Sequence, residues 1–278
     1  MSSVKKISLI LVLGLLSCTD SEIMESLEDQ NVWLGEVISI LQRELSEPEG
    51  KLNLIYHYRG EDESSMVSYR KTFYDHEERE ILDLGFSAEN DTIGALLTYY
   101  NQKGEIIERK EYQYPDWQHS PNLNGGALDK LEWLRTVYFN YDTEGKLIEK
   151  ETLMPNSEQK SKVIFHYNDL NQLVAKEYFQ NNESIDWHAY EHDVHGVVHK
   201  ETWKFSRFEE PYRTYLYRYN EKDLLTAKET GELYNAELEK KDVHQYFYDN
   251  MDRLIEEKEY YPNMGFQLFF RKAYKYHE

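Results

Sequence analysis

The chain of 278 residues is short of several things at once: it has one cysteine, six prolines and thirteen glycines. A single cysteine excludes an internal disulfide, so in an oxidising compartment burial alone must hold the fold. Scarce proline and glycine exclude a linker or collagen-like chain, and 40% hydrophobic residues supply a core, which argues against disorder. Basic residues are also in deficit, 32 Lys and Arg against 52 Asp and Glu, for a formal net charge of -20. That leaves no basic face for the phosphates of a nucleic acid or for docking on anionic lipid. A Gly-x-Ser-x-Gly turn and a phosphate-cradling glycine loop are missing too, so no catalytic residue, cofactor or enzymatic activity is expected. The apolar run from Ile7 to Leu16 is ten residues, too short to span a bilayer and suited to a signal-peptide core.

The run follows Lys5 and Lys6 and ends in Leu15-Leu16-Ser17-Cys18, with an aliphatic residue three before the cysteine and a small one directly before it. This segment resembles the lipobox of bacterial lipoproteins; the alternative is a plain secretory signal with a chance cysteine. The resemblance implies that residues 1–17 are a lipoprotein signal peptide and that Cys18 is acylated and becomes the N-terminus. Two or three acyl chains anchor a protein stably where one does not. It also implies a cell-envelope location, at the outer membrane of a Gram-negative bacterium. Losing Lys5 and Lys6 would take the charge from -20 to −22.

Residues 18–50 continue with a helical pattern. Leu27, Leu34, Ile38, Leu41 and Leu45 form one stripe, Glu22 and Glu25 load the first turns, and Pro48 with Gly50 stop it. Such a stripe is expected to pack on the following domain; a partner-binding helix is the alternative.

From residue 51 the period changes to two, and a repeat takes over. Its anchors are Tyr74, Tyr100, Tyr141, Tyr167, His192, Tyr219, Tyr248 and Tyr276. One long interval holds an insertion at about 115–127, rich in Pro, Asn and Gly, with Leu128 to Leu134 as a candidate short helix. After each anchor from Tyr74 to Tyr248 comes Asp or Asn (Asp142, Asn168, Asn220 and Asp249 among them), and four after it Gly145, Asn171 or an equivalent in all but the first copy. The pair is the chemistry of a type I turn followed by a residue that tolerates positive φ, the three-residue hairpin loop with a bulge. Glu78 departs from it in the first copy. Val137 to Thr152 is the cleanest hairpin, and simple alternation predicts Tyr141 facing Leu147, Phe139 facing Glu149, Phe165 facing Ala175 and Tyr217 facing Ala227. The reading is therefore mainly β: an elongated antiparallel sheet of stacked hairpins with a period of about 26, spanning 51–278, after the signal peptide and one amphipathic helix.

Tyr-x-Tyr-Asp-x-x-Gly-x-Leu, as in Phe139 to Leu147, resembles the YD repeat of RHS-type proteins. The resemblance covers about Phe73 to Tyr276 and implies hairpin stacking and, in some members, carbohydrate binding. The chain lacks the arginine usual after the glycine except at Arg253, and has too few copies to enclose a cavity as the large shells do. Together with the lipobox it resembles repeat-bearing lipoproteins of Bacteroidetes-type bacteria.

For chemistry, His188, His192, His195 and His199 lie within twelve residues but diverge on a hairpin, so no metal site is expected. Trp117, with Tyr114 and His119 beside it in the insertion, has no anchor role and is the candidate ligand contact. The expected function is a membrane-anchored, non-catalytic binding or scaffolding surface for a glycan or protein. The alternative is an immunity-type protein neutralising a basic partner, which the strong negative charge would suit; a carboxylate-based glycan hydrolase is a third class with no specific motif.

Overall fold

The computed structural model describes residues 35–37, 39–40, 45, 48–114, 131–155, 157, 160–234, 237–261 and 267–277. Cys18, Trp117 and His119 lie outside the described residues. Sixteen strands form the sheet. The first eight are β1 (Leu52–Tyr58), β2 (Met66–Tyr74), β3 (Glu80–Ser87), β4 (Thr92–Tyr100), β5 (Ile106–Gln113), β6 (Glu132–Tyr141), β7 (Leu147–Leu153) and β8 (Ser161–Tyr167). The rest are β9 (Leu173–Gln180), β10 (Glu183–His192), β11 (Val198–Phe205), β12 (Arg213–Tyr219), β13 (Leu225–Tyr234), β14 (Glu237–Tyr248), β15 (Leu254–Tyr261) and β16 (Gln267–Tyr276). Every strand pairs antiparallel with its chain neighbours, and β1 pairs with β16, so the sheet closes into a barrel. The elongated open sheet expected from the repeats is thus corrected. Sheet twist carries a long row of hairpins round on itself, and closure satisfies both edge strands. The expected short helix before β6 is corrected as well, since Glu132 to Leu134 are already strand.

Each turn is built alike. Asp142 N–H donates to the Lys146 carbonyl at 2.9 Å and Gly145 N–H to the Asp142 carbonyl at 3.2 Å. The Asp142 carboxylate accepts from the Glu144 and Lys146 amides, both at 2.9 Å. Gly104, Gly145, Asn171, Gly196, Asp223 and Asp252 all take positive φ at the fourth position. Glu78 takes it too, at φ 59, so the first turn keeps its shape with an unsuited residue. An L-residue there is strained by roughly 1–2 kcal/mol, and Glu78→Gly should raise the unfolding free energy by about 1 kcal/mol, read from the urea midpoint; a loss of stability would show that Glu78 is held by contacts instead.

The eighth turn is split between the two ends of the chain. Gly50 N–H donates to the His277 carbonyl and His277 N–H to the Lys51 carbonyl, both at 2.8 Å, with Gly50 at φ 76. Tyr276-His277 and Gly50-Lys51-Leu52 are therefore two halves of one repeat, and eight repeats make sixteen strands. The anchors tie the ring together. The hydroxyls of Tyr74, Tyr100, Tyr141, Tyr167, Tyr219, Tyr248 and Tyr276 each donate to a carbonyl of the preceding repeat, on Leu52, Glu80, Ile106, Leu147, Val198, Leu225 and Leu254, at 2.7–2.9 Å. His192, at the remaining anchor position, carries no hydroxyl.

The turn also inserts a bulge residue after the anchor's partner, which shifts the register by one. Tyr141 pairs with Leu147 as expected, but Phe139 pairs with Lys150 and Val137 with Thr152. Phe165 pairs with Lys176 and Tyr217 with Lys228. Alternation alone therefore put the charged residues on the wrong face, because a bulge adds one residue to one strand only.

One wall carries an apolar patch outside. Leu82, Leu84, Ala95, Leu97 and Tyr112 pack with Leu131 and with Val37 of the preceding helical residues. Leu27, Leu34, Ile38 and Leu41 of the expected stripe lie outside the described residues; it is Val37, a position off that stripe, that meets the sheet, and Tyr99 and Lys110 both reach Glu36 beside it.

Candidate functional site

The corrected register lines up one position of every repeat on one face of the sheet. Two residues before each anchor stand Thr72, Thr98, Phe139, Phe165, Tyr190, Tyr217, Tyr246 and Tyr274. Their cross-strand partners in the hairpins are, in the same order, Asp83, Arg109, Lys150, Lys176, Glu201, Lys228 and Glu257, and Tyr274 faces Ile55 at the split repeat. This face lines the barrel interior. The Lys228 ammonium feels that of Lys176 although three strands, β10, β11 and β12, lie between β9 and β13. With strands about 4.8 Å apart, side chains that far apart along the wall approach only on the concave side.

Around this belt, rings and charges alternate. Lys150 lies 4.9 Å from the Phe139 ring centroid and 5.5 Å from that of Phe165, and Lys176 lies 5.8 Å from Phe165 and 5.2 Å from Tyr190. Glu201 sits between Tyr190 and Tyr217 and accepts from both hydroxyls. Lys228 lies 5.7 Å from the Tyr217 ring, and Glu257 accepts from Tyr274 at 3.1 Å. Cation–π contacts of partly desolvated lysines stabilise by about 0.5–2 kcal/mol each.

The densest part is around His188. Its ring stacks between Tyr178, at 4.3 Å, and Trp203, at 4.0 Å, and Trp203 continues to Tyr215 at 4.8 Å. Nδ1 of His188 lies 3.4 Å from Glu201 and Nε2 3.4 Å from Asp186, whose carboxylate also accepts from Tyr212 at 2.8 Å. Trp203 Nε1 donates to Glu201 at 2.7 Å. Burial opposes ionisation of Glu201, but the bonds from His188, Tyr217, Trp203 and Tyr190 prevail and hold its pKa at about 2. His244 does the same for Glu257, against burial and with help from Lys272, again to about 2. Both carboxylates are therefore ionised and fully engaged at neutral pH. Burial, and then Asp83, push Glu80 the other way, up from the usual carboxylate value, with Arg109 and Arg70 pulling back.

The four clustered histidines separate. His188 is in the interior stack, His192 faces Val198 as an anchor, His195 is in the turn, and His199 is the bulge residue 4.0 Å from Glu191. Among the described residues no three His, Cys, Asp or Glu gather as metal ligands. Tyr114 follows β5, its amide bonded to the Ile93 carbonyl at 3.0 Å and its ring against the outer apolar patch. The belt was missed because its signal needs the bulge counted: nine residues after each anchor, every hairpin from Tyr74 to Tyr248 carries Asp, Glu, Lys or Arg.

The outer face carries paired charges over most of the circumference: Lys162–Glu149 at 3.5 Å, Lys200–Glu191 at 2.6 Å, Arg218–Glu229 at 2.8 Å and Arg271–Glu256 at 3.7 Å. A membrane-spanning barrel needs an outward apolar band about 25 Å tall, and among the described residues the charge pairs interrupt any such band. Among the described residues no helix is long and apolar enough to cross a membrane.

No family model and no curated protein matches the chain. Among solved structures, it is similar to a porin-like protein from Bacteroides uniformis, at 10% identity and a TM-score of 0.49, over 82% of this chain and 98% of that one. It is similar also to the Photorhabdus luminescens Tc holotoxin pore, at 9% identity and a TM-score of 0.28, over 77% of this chain but 15% of that one. A third match is a protein of unknown function from Bacteroides fragilis, at 13% identity and a TM-score of 0.15, over 63% of this chain and 87% of that one.

Proposed function

We propose that the protein is a lipid-anchored component of the cell envelope whose barrel interior is a non-catalytic binding chamber, with a glycan as its ligand. The belt of alternating rings and charges carries this reading. A closed barrel that needed only to be stable would fill its interior with aliphatic side chains. Here the interior face carries, beside Phe139 and Phe165, tyrosines, tryptophan, lysines and carboxylates, whose amphipathic rings and directional donors suit a hydroxylated ligand. Glu201 and Glu257 are poorly suited to general acid–base work, which is best served by a pKa near the working pH, since both sit far below it. The charged outer wall keeps the barrel in water, so attachment falls to the acyl chains on Cys18. Growth with labelled palmitate should mark the wild-type chain and leave Cys18→Ala unlabelled; label in the variant would remove the anchor. A glycan array probed with the detergent-solubilised chain should return binding that Trp203→Ala reduces. Binding that is lost when Trp117 is replaced but survives Trp203→Ala would move the site back to the insertion.

A further inference from the structure

We propose that Arg109, Lys150 and Lys176, on three successive repeats of the interior wall, form a site for a small multivalent anion. The inference rests on the chamber reading and assigns the chemistry of its ligand. The three cations occupy the same position in their repeats, each two strands from the next, and Phe139, Phe165 and Tyr190 stand between and beside them. The rings hold the side chains in place without accepting their N–H groups as a carboxylate would. Among the described residues neither lysine has a carboxylate ion pair, and Arg109 Nε is buried with no hydrogen-bond partner. Acidic groups flank the arc only at its ends, Glu80 acting on Arg109 and Glu201 on Lys176. At the centre, burial pulls the Lys150 pKa down, and the charges that add to it are two more cations, Lys176 and Arg109.

In a chain of net charge -20 a cluster of three cations with carboxylates only at its two ends is a local conflict. Like charges in a half-buried wall destabilise the empty protein, and such conflicts concentrate where a ligand resolves them. An anion with two or more charged groups would accept the free N–H donors of both lysines and of the guanidinium. Phosphate and carboxylate groups share this chemistry, as in an oligophosphate or an acidic oligosaccharide.

The test is calorimetry of the full chain in detergent with tripolyphosphate, trigalacturonic acid and neutral maltotriose. Saturable binding of either anion, weakened by added salt, is expected, and the stronger of the two names the source. Lys150→Met should weaken that binding about tenfold or more and leave the melting temperature of the empty protein within a few degrees of wild type, since it removes the repulsion and the two cation–π contacts together and keeps the packed stem. Lys150→Arg should retain binding, and Lys200→Met on the outer wall should leave it unchanged. Binding of maltotriose with neither anion would overturn the anion site and leave the chamber standing. Failure of all three probes, or a Lys150→Met protein that binds as tightly as wild type, would also overturn it.

Discussion

Glu201→Leu is expected to lower the unfolding free energy by roughly 3–5 kcal/mol. The side chain is 7% exposed and is the common acceptor for Trp203 Nε1, the Tyr190 hydroxyl and the Tyr217 hydroxyl, beside His188. An apolar replacement of similar size leaves those donors buried with nothing to accept them, each at about 1–3 kcal/mol. Because they come from β10, β11 and β12, the damage is spread across the wall. Glu201→Gln keeps one acceptor oxygen and should cost less than half as much. Urea denaturation followed by tryptophan fluorescence measures both. A Leu variant within about 1 kcal/mol of wild type would show that water already serves these donors, and the belt would lose its central member.

Stability should also fall in two steps as the pH drops. His57 has its pKa lowered to about 4 from 6.5, by burial and then by Lys272 and Arg70, and its Nε2 is buried without a partner. The folded state disfavours the proton, so its contribution is complete above about pH 6.5 and is lost as the pH falls towards 4; the shift corresponds to about 3 kcal/mol. Glu201 and Glu257, both at about 2, act below that. Their contribution is complete above the unfolded carboxylate value near 4.5 and is lost between there and 2, on the order of 3 kcal/mol each. Denaturant midpoints at pH 7, 5 and 3 should decline at both intervals, and His57→Gln should remove the upper one alone. A midpoint unchanged from pH 7 to 4 would contradict the buried neutral histidine.

The repeat was legible in the sequence because its chemistry is local. Asp142 and Gly145 are demanded by one turn, and a turn is read within five residues. The anchor pairs, Tyr141 with Leu147 and Tyr167 with Leu173, followed from the same loop. Closure was not legible, because it depends on Gly50 and His277, more than two hundred residues apart, meeting in a turn that no peptide bond spans. Gly50 read naturally as a helix stop, and it is also the left-handed residue of the split turn. The belt was hidden by Ile148, Val174 and Thr226, single extra residues that look like ordinary strand. Once they are counted, Lys150 moves from beside Asn140 to opposite Phe139, and a solvated lysine becomes an interior one. Of the four clustered histidines, which the hairpin was expected to separate, the consequential one is His188, and it works through stacking and two carboxylates.

The interior exists because the barrel is closed between β1 and β16. Tyr56 and Ala273 are register partners across that seam, on the outer face. With Cys18 changed to serine the chain has no other cysteine, so Tyr56→Cys with Ala273→Cys makes the closing pair the only thiols present. Antiparallel partners lie within the Cα separation that a disulfide tolerates. Mild oxidation of the dilute protein should give a monomeric cross-link of the two chain ends, seen as a reducible mobility shift and the loss of both free thiols. Two freely alkylatable thiols in the folded monomer, or cross-links only between molecules, would mean an open sheet with no interior.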